Sequence, residues 1–553
     1  MGETPDAVVI GAGPNGLVAA NLLADAGWDV LVLEAQSAPG GAVRSAEVTA
    51  PGYLSDLFSA FYPLGLASPV LQRLELERHG LRWTHAPNVL AHPFRDGRTA
   101  LLSRDVGTTS ASVEQFGDGD GDAWAGMADE FTRLSPDILG ALFAPFPPVR
   151  SGLGLLRTLG AADALRFARF GLLPVRRHAA EEFRGEGGAV LLSGNALHTD
   201  LSPTAPGSAV FGWLLAMLGQ TVGFPVPEGG AQRLTDALVA RLEAAGGRLE
   251  CDAPVHRVVV RDGRAVAVQV DDGREVRVRR AVLADVTAPA LFLRLVGPEH
   301  LPARMVDDLR RFQWDDATVK VDWALSGPIP WRAREAATAG TVHVAGEMDA
   351  MTVYAQQLER GLVPSDPFVI VGQMTTADPT RSPAGTESAW GYTHVPATLR
   401  GDAGGDGLTG AWDDMAERDR FVGRVERQME AFAPGFRDLV VGRYVQFPGD
   451  LESANPNLAG GAVNGGTAGI SQQLFLRPTP GLGRPETPVA GLYLASSSAH
   501  PGGGVHGACG ANAARAALKA RGTGRLALAA TRVLSGARRP SPRAGAASRR
   551  SAP

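Results

Sequence analysis

The opening of the chain, AVVIGAGPNGLVAANLLADAGWDVLVLEA, constrains the fold more than any other stretch. Residues 7–10 form an apolar run typical of a β-strand, and a glycine-rich loop follows at 11–16. Residues 17–26 have the apolar spacing of a helix, and a second short apolar strand at 30–33 leads to Glu34. This order of elements predicts a βαβ unit at the start of the chain.

The loop in this unit has the spacing G-x-G-x-x-G at Gly11, Gly13 and Gly16. The first glycine allows a tight turn, the second leaves room for a pyrophosphate, and the third lets the helix pack close to the strand. The chain contains 69 glycines, so the triplet alone is weak evidence. The flanking strand and helix, together with Glu34 as an acceptor for ribose hydroxyls, predict dinucleotide binding; the alternative is an αβ turn without a cofactor.

Two further glycine-rich turns favour FAD over NAD. Residues 39–45, PGGAVRS, follow the βαβ unit and let the backbone approach a cofactor beyond its pyrophosphate. Residues 500–508, HPGGGVHGA, precede a helix of small residues whose N-terminus can stabilise negative charge on a reduced flavin. Three contact loops so far apart in the sequence suit FAD, because it is a long molecule that binds in an extended form. No second G-x-G-x-x-G with a strand before it and an acid after it indicates an NAD(P)H domain.

The rest of the pattern suggests how the domains are arranged. After Glu228, an amphipathic helix and strands separated by Asp-Gly turns predict hairpins, and a strand at 491–495 follows near the C-terminus. We predict an α/β fold in which an FAD-binding Rossmann-like (GR2-type) domain is interrupted by a mixed α+β substrate domain. The expected ranges are 1–75, 225–290 and 485–520 for the FAD-binding domain, 76–224 and 291–484 for the substrate domain, and 521–553 for a basic, disordered tail with eight arginines.

Composition narrows the classes of partner. The net charge of −5 and the lack of a recognition motif argue against nucleic acid, and two distant cysteines argue against a disulfide framework or a metal site. The early first strand and the few cysteines lead us to expect no signal peptide and a cytoplasmic location. The apolar stretch 208–226 is read as a buried helix or tunnel wall rather than a membrane-dipping segment. Peripheral membrane contact, through this stretch or the basic tail, stays an alternative.

Several stretches together resemble the phytoene desaturase-like branch of the FAD-dependent amine oxidase superfamily. Within it the chain is most similar to the group called pyridine nucleotide-disulfide oxidoreductase domain-containing protein 2. The matching stretches are VIGAGPNGLVAANLLADAG, LEAQSAPGGAVRS, PEGGAQRLTDAL, TVKVDWALSGPIPW, DPTRSPAG and GLYLASSSAHPGGGVHGACGANAA. The "disulfide" in the group's name does not apply here, because the chain has no dithiol motif.

The resemblance implies FAD as the cofactor and a set of residues that contact it. It implies contact at Gly11, Ala12, Gly13, Pro14, Asn15, Gly16, Glu34, Ala35, Gly40, Gly41, Ser45, Val255, Ser497, Gly504 and Val505. Val255 would lie on the adenine side, and the strand RAVLADV would also approach FAD. The chain departs from many relatives at residues 496–498, where three serines replace an acid or a glycine, so the ribityl contact there is expected through a serine hydroxyl.

Catalytic candidates are fewer, because FAD itself carries out hydride transfer. His500 and His506 bracket the expected flavin loop and could act as acid or base, or could simply order the loop. Lys320 alternates with apolar residues; it could hold a water near the flavin, as a lysine does in amine oxidases, or face the surface. Asn195 and His198 could line the substrate cavity or make a helix cap.

These observations leave three functions open. The first is an FAD enzyme that oxidises, desaturates or isomerises a small apolar substrate, such as a polyene or a lipid, and passes electrons to oxygen or a quinone. The second is an amine or amino-acid oxidase, which would place a carboxylate-binding arginine in the pocket. The third is a non-catalytic binding or regulatory protein, as GDP dissociation inhibitors are on a related fold. Oligomeric state and substrate identity do not follow from the sequence.

Overall fold

The computed structural model describes residues 4–520, so the prediction for the tail at 521–553 lies outside the described residues. Its strands are β1 Ala7–Ile10, β2 Val30–Leu33, β3 Ser45–Ala46, β4 Ser55–Asp56, β5 Trp83–Thr84, β6 Asn88–Pro93, β7 Thr99–Leu102, β8 Val226–Pro227, β9 Arg248–Glu250, β10 Val255–Arg261, β11 Arg264–Val270, β12 Glu275–Arg277, β13 Ala281–Ala284, β14 Ala317–Leu325, β15 Ala339–Val344, β16 Leu362–Val363, β17 Val369–Gln373, β18 Glu387–Val395, β19 Gly401–Asp402, β20 Val440–Gln446 and β21 Leu492–Leu494.

The helices connect these strands and cover the sheets. They are α1 Pro14–Asp25, α2 Pro63–Ala67, α3 Pro69–Gln72, α4 Val106–Glu114, α5 Asp120–Leu142, α6 Val149–Phe170, α7 Val175–Glu182, α8 Glu186–Leu197, α9 Ser208–Thr221, α10 Gln232–Ala244, α11 Ala303–Arg310, α12 Met348–Glu359, α13 Met374–Ala377, α14 Met415–Phe432, α15 Pro448–Ala454 and α16 Ala508–Lys519. Within residues 4–520, no helix is both long and apolar enough to cross a bilayer.

A five-stranded parallel sheet in the order β21-β13-β1-β2-β9 holds the predicted βαβ unit. Both faces of β1 are buried. Helices α1, α10 and α16 pack on one face, while the small sheet β10-β11-β12 packs on the other. Continuous apolar strands of this kind are expected when a parallel sheet is covered on both sides. The sheet therefore joins the N-terminal, middle and C-terminal parts of the chain.

The second large sheet of the fold is mixed and has seven strands, in the order β20-β14-β18-β17-β15-β6-β7. Strands β6 and β15 pair in parallel, although they lie about 250 residues apart, and the remaining pairs are antiparallel. Helices α5, α8 and α9 pack on one face of this sheet, and α14 packs on the other. The apolar stretch at 208–226 contains helix α9, in which Ala216 and Met217 are fully buried.

Candidate active site

The glycine-rich loop between β1 and α1 has the geometry that its sequence predicts. Gly11 has φ +93°, in the region that favours glycine, and its N–H donates to the Leu33 carbonyl at 2.8 Å. A Cβ on Gly16 would lie 2.1 Å from the Gly11 carbonyl oxygen, so no side chain fits there. Helix α1 begins at Pro14 rather than at Leu17, because proline is suited to the first helical position. The N-terminus of α1 therefore lies at the loop where the sequence predicts the pyrophosphate.

Glu34 ties the end of β2 to this loop. One carboxylate oxygen accepts the Ala12 N–H at 2.7 Å and the other accepts the Gln36 N–H at 2.9 Å. The Glu34 carbonyl accepts the Ala253 N–H at 2.8 Å, two residues before Val255, while Ala35 beside it is exposed. The carboxylate is thus fixed in orientation at the strand end, where a ribose would lie.

The second glycine-rich turn touches the first. Gly40 and Gly41 have φ +121° and +54°, and the Gly40 N–H donates to the Ala12 carbonyl at 2.9 Å. A Cβ on Gly41 would lie 3.1 Å from the Gly13 Cα. Ser45 nearby is engaged within the protein, because its hydroxyl donates to Asp56 at 2.6 Å.

Arg44 belongs to this turn and was missed by the sequence analysis. One terminal nitrogen donates to the Ala454 carbonyl at 2.9 Å, but its Nε is buried without a partner. Burial lowers the pKa of Arg44, and the negative charge of Glu34 opposes that shift. An arginine with a free buried donor beside two touching glycine turns fits the pyrophosphate of FAD. Its position three residues after Gly41 was the signal that could have revealed it.

The C-terminal loop lies against the first glycine-rich loop. It follows β21 and leads into α16, and a Cβ on Gly510 would lie 1.9 Å from the Asn15 carbonyl oxygen. The starts of α1 and α16 are therefore in direct contact. Gly504 has φ +110°, and the Ser497 carbonyl accepts two bonds from Arg477, at 2.7 and 3.0 Å. The three loops predicted to contact FAD converge in one place.

Asp285 follows β13 in the stretch RAVLADV, which was expected to approach FAD, but its carboxyl was not singled out from the sequence. Its Oδ2 accepts the Gly16 N–H at 2.8 Å, and a Cβ on Gly13 would lie 2.6 Å from the same oxygen. Burial raises the pKa of Asp285 to about 7; the Gly16 hydrogen bond opposes this shift and the charge of Glu34 adds to it. A carboxyl that titrates near neutrality thus sits at the N-terminus of α1.

His500 and His506 make contacts that order their loop. His500 pairs through Nε2 with the Ala144 carbonyl at 3.1 Å, and His506 Nδ1 accepts the Ala508 N–H at 3.0 Å, at the start of α16. Burial lowers the pKa of both histidines to about 4. Both are therefore uncharged at neutral pH, and an acid–base role for either stays a prediction.

The expectation that Lys320 faces the surface is wrong. Both faces of the seven-stranded sheet are covered, every residue of β14 is buried, and Lys320 is 3% exposed. Its Nζ donates to Asp322 at 2.5 Å and lies 5.9 Å from the centre of the Trp390 ring. Trp390 in turn lines a cavity beside the sheet. Lys320 is therefore an interior ion-pair member behind the cavity wall.

A cavity of about 290 Å³ lies between the seven-stranded sheet, α9 and the C-terminal loop. Gly503, Gly504 and Val505 form part of its wall, next to His506. Most of the remaining wall is apolar or aromatic, from Phe61, Leu64, Phe211, Leu214, Leu218, Phe224, Ile370 and Trp390. An apolar space thus opens directly onto the loop expected to hold the flavin ring.

Polar side chains interrupt this wall at several points, among them Thr199, Asn464 and Gln473. His198 lines the cavity and its Nε2 lies 2.8 Å from His343 Nε2, whereas Asn195 is buried within α8 and donates to the Leu191 carbonyl. Burial lowers the pKa of His198 to about 3. Behind the wall, Asp200 lies 2.7 Å from His394.

The chain matches one protein family and is similar to several known proteins. Residues 15–518 match the family model described as flavin containing amine oxidoreductase. The pyridine nucleotide-disulfide oxidoreductase domain-containing protein 2 of Rattus norvegicus is 30% identical, over 92% of each chain. One of the limonene dehydrogenase chains of Castellaniella defragrans is 25% identical, over 92% of this chain and 94% of its own. The lycopene-forming phytoene desaturase of Pseudescherichia vulneris is 24% identical, over 92% and 98%.

Solved structures share the fold. An oxidoreductase from Methanosarcina mazei aligns with a TM-score of 0.59 at 16% identity, over 93% of this chain and 99% of its own. Cyclohexylamine oxidase from Brevibacterium oxydans aligns with a TM-score of 0.56 at 17% identity, over 94% and 99%. Each alignment spans more than nine-tenths of both chains.

Proposed function

The chain belongs to the family of flavin-containing amine oxidoreductases and is an FAD-dependent oxidoreductase, and we propose that it oxidises an apolar substrate, such as a polyene or a lipid-like molecule. FAD bound in this fold supplies a hydride acceptor at N5 of its ring system. The reaction would be a dehydrogenation or a desaturation; an isomerisation, in which FAD returns the electrons to the substrate, would be the redox-neutral alternative. The names of two relatives, a limonene dehydrogenase and a phytoene desaturase, refer to apolar hydrocarbons and support this class.

The observation that carries the proposal is the chemistry of the cavity wall. Among the described residues that line it, none is an aspartate or a glutamate. A substrate with an ammonium group would therefore be desolvated there without a counter-charge, which is costly. An apolar substrate avoids this desolvation penalty and gains from burial of its surface.

The amino-acid oxidase alternative requires an arginine that binds a carboxylate. Arg477 lies in the wall, but its guanidinium already donates to the carbonyls of Ser497, Asn464 and Thr467. Since these bonds leave little donor capacity for a ligand, Arg477 serves the protein and not a substrate carboxylate. The wall also carries little other charge, because burial keeps His198 and His506 neutral at physiological pH.

We place FAD along the three converging loops. The N-terminus of α1 and Arg44 would hold the pyrophosphate, and Glu34 the adenosine ribose. The proposed contact residues are those expected from the sequence, with Arg44 added. Gly503 to Val505 would face the flavin ring, so that the cavity lies over its reactive edge. The cavity would exclude water from the reacting carbon. Oxygen or a quinone is proposed as the final electron acceptor.

The test is anaerobic bleaching of the flavin absorbance by candidate substrates. Polyenes, fatty acyl compounds and primary amines are supplied in parallel to the purified protein, and the reduced flavin is then exposed to air or to a soluble quinone. Bleaching by polyenes or acyl compounds is expected; bleaching by amines alone would overturn the proposal. Failure of every compound, with FAD firmly bound, would favour a non-catalytic flavoprotein.

A cavity variant shows whether the reaction takes place in this space. Leu214 is half-buried in the wall, so Leu214→Trp should narrow the cavity while the fold is retained. Bleaching by the active compound should slow about tenfold or more, since a few kcal/mol of lost binding suffices for this. Val353→Trp, at a position 49% exposed on α12, is the matched control and should bleach like the unaltered protein.

A further inference from the structure

Helix α6 carries apolar side chains on its outer face. Val149, Leu153 and Leu156 are 62%, 49% and 56% exposed, and their spacing of four and then three residues places them on one side of the helix. The helix is interrupted at Gly160, which has φ +71°. Exposed leucines continue beyond this break, at 165 and 172, with 75% and 60% exposure.

A second segment with exposed apolar side chains lies against both ends of α6. Ile470, Leu474 and Phe475 are 45%, 48% and 49% exposed. The ring of Phe475 packs at 5.3 Å on that of Phe146, just before α6. A Cβ on Gly207 would contact both the Ile470 side chain and the Gly171 carbonyl, just after α6. We call the resulting surface the apolar rim, which consists of Val149, Leu153, Leu156, Leu165, Leu172, Ile470, Leu474 and Phe475.

Arginines border the apolar rim. Residues 149–172 contain four arginines, at 150, 157, 166 and 169, and a single acid, Asp163, although the whole chain has a net charge of −5. Arg166 pairs with Asp163 and Arg169 with Glu181. Within residues 4–520, Arg150 and Arg157 make no ion pair. Exposed leucines flanked by unpaired arginines are typical of helices that lie in the interface of an anionic membrane.

The apolar rim and the cavity share the same parts of the chain. Gln473, in the second segment, lines the cavity, and so does Leu142, at the end of α5 and shortly before α6. Ala468, two residues before Ile470, lines it as well. Residues of the rim are therefore close in sequence to residues that line the cavity.

We propose that the apolar rim docks on the headgroup–acyl boundary of an anionic lipid bilayer. The leucines and Phe475 would enter the acyl region, and Arg150 and Arg157 would meet lipid phosphates. A second copy of the chain fits less well, since two such arginine-bordered surfaces would repel each other. The docking does not depend on the substrate proposed above; if that substrate is apolar, it could pass from the bilayer into the cavity without crossing water.

The test is co-flotation of the full-length, FAD-loaded protein with lipid vesicles. Phosphatidylcholine vesicles are compared with vesicles that also contain phosphatidylglycerol, and binding is expected to be stronger to the anionic ones. Leu153→Asp combined with Leu156→Asp should reduce binding about tenfold or more, because two apolar side chains lose their burial and two charges are added. Both positions are exposed, so FAD content and melting temperature should be unchanged.

The control is a pair of equally exposed apolar residues elsewhere. Val353→Asp combined with Val441→Asp, at positions 49% and 58% exposed, should bind like the unaltered protein. Every variant keeps residues 521–553 with their eight arginines. If the rim variant binds as well as the control, the rim does not dock and the proposal fails.

A second measurement reports where the rim lies when the protein is bound. Leu156→Cys, labelled with an environment-sensitive dye in a Cys251→Ser background, should brighten on anionic vesicles; Cys509 is buried and should not label. The same label at Val441→Cys should not respond. No brightening at position 156 would overturn the proposal. So would a dimer in light scattering that the aspartate variant converts to monomer without any vesicle binding.

Discussion

Asp285 is a buried acid at the point where the chain would meet the cofactor phosphates. Its pKa of about 7 lies above the ordinary 3.8 because burial penalises the charged form. Between these values the folded protein holds a proton that the unfolded chain has released. The free energy of unfolding of the flavin-free protein should therefore fall as the pH rises through this window, by at most about 1.4 kcal/mol per pH unit from this residue.

Asp285→Asn should remove that dependence. Urea unfolding of the flavin-free protein at pH values from about 5 to 7 should show a flatter stability curve for the variant than for the unaltered protein. Asp272→Asn, in which an exposed carboxylate is changed, is the control and should leave the slope in this range unaltered. Equal slopes for Asp285→Asn and the unaltered protein would mean that the carboxyl is already ionised at acidic pH.

Lys320 and Asp322 form a buried ion pair in which each charge compensates the other. Their side chains are 4% and 1% exposed, so loss of one charge leaves the other without compensation. Lys320→Met should lower the free energy of unfolding by about 3–5 kcal/mol. Adding Asp322→Leu should recover much of that loss, measured by urea unfolding as a double-mutant cycle. If the double variant were as unstable as Lys320→Met, the cost would come from lost packing rather than from the unpaired carboxylate.

At the scale of elements, Arg477 joins two loops that no strand connects. It is fully buried and donates to carbonyls at 464–467 and at Ser497, while burial lowers its pKa to about 10, so it stays charged at neutral pH. Arg477→Lys keeps a charge but cannot reach both loops. The variant should lose about 3 kcal/mol of stability and release FAD faster, measured by thermal melting and flavin fluorescence.

Arg484→Lys is the control for that change. Arg484 is exposed and lies in the same stretch, so its replacement should alter neither the melting temperature nor the rate of FAD release. An Arg477→Lys variant that melts and releases FAD like this control would show that the two loops hold their positions without the guanidinium.

Local elements could be predicted from the sequence where a short-range pattern determines them. The strands at 7–10 and 30–33 occur with the expected bounds, and the helix expected after the loop at 500–508 begins at Ala508, because apolar periodicity and glycine positions are local properties. Arg477 and Asp285 could not be found in this way. Each acquires its role from partners that are distant in sequence, such as the carbonyl at 497 or the N–H at 16.

The strand order of the seven-stranded sheet could not be predicted from the sequence either. The alternation of Lys320 with apolar residues is typical of a strand such as β14, but the parallel pairing of Thr341 with Leu90 depends on which parts of the chain meet after folding. The position of Lys320 shows the same limit. A lysine that alternates with apolar residues suggests that one face of the strand contacts water. Here helices pack over both faces of the sheet and exclude water from that face.

At the scale of the whole molecule, the five-stranded sheet joins strands near residues 10, 33, 250, 284 and 494, so no contiguous part of the chain can form it alone. The predicted FAD contacts are spread in the same way. FAD should therefore stabilise the entire fold, by about 2.7 kcal/mol at a free concentration a hundred times its dissociation constant. Calorimetry of the flavin-free protein should show a single transition that moves upward with added FAD. Two transitions, of which FAD shifts only one, would mean that the seven-stranded sheet and its helices unfold independently of the cofactor site.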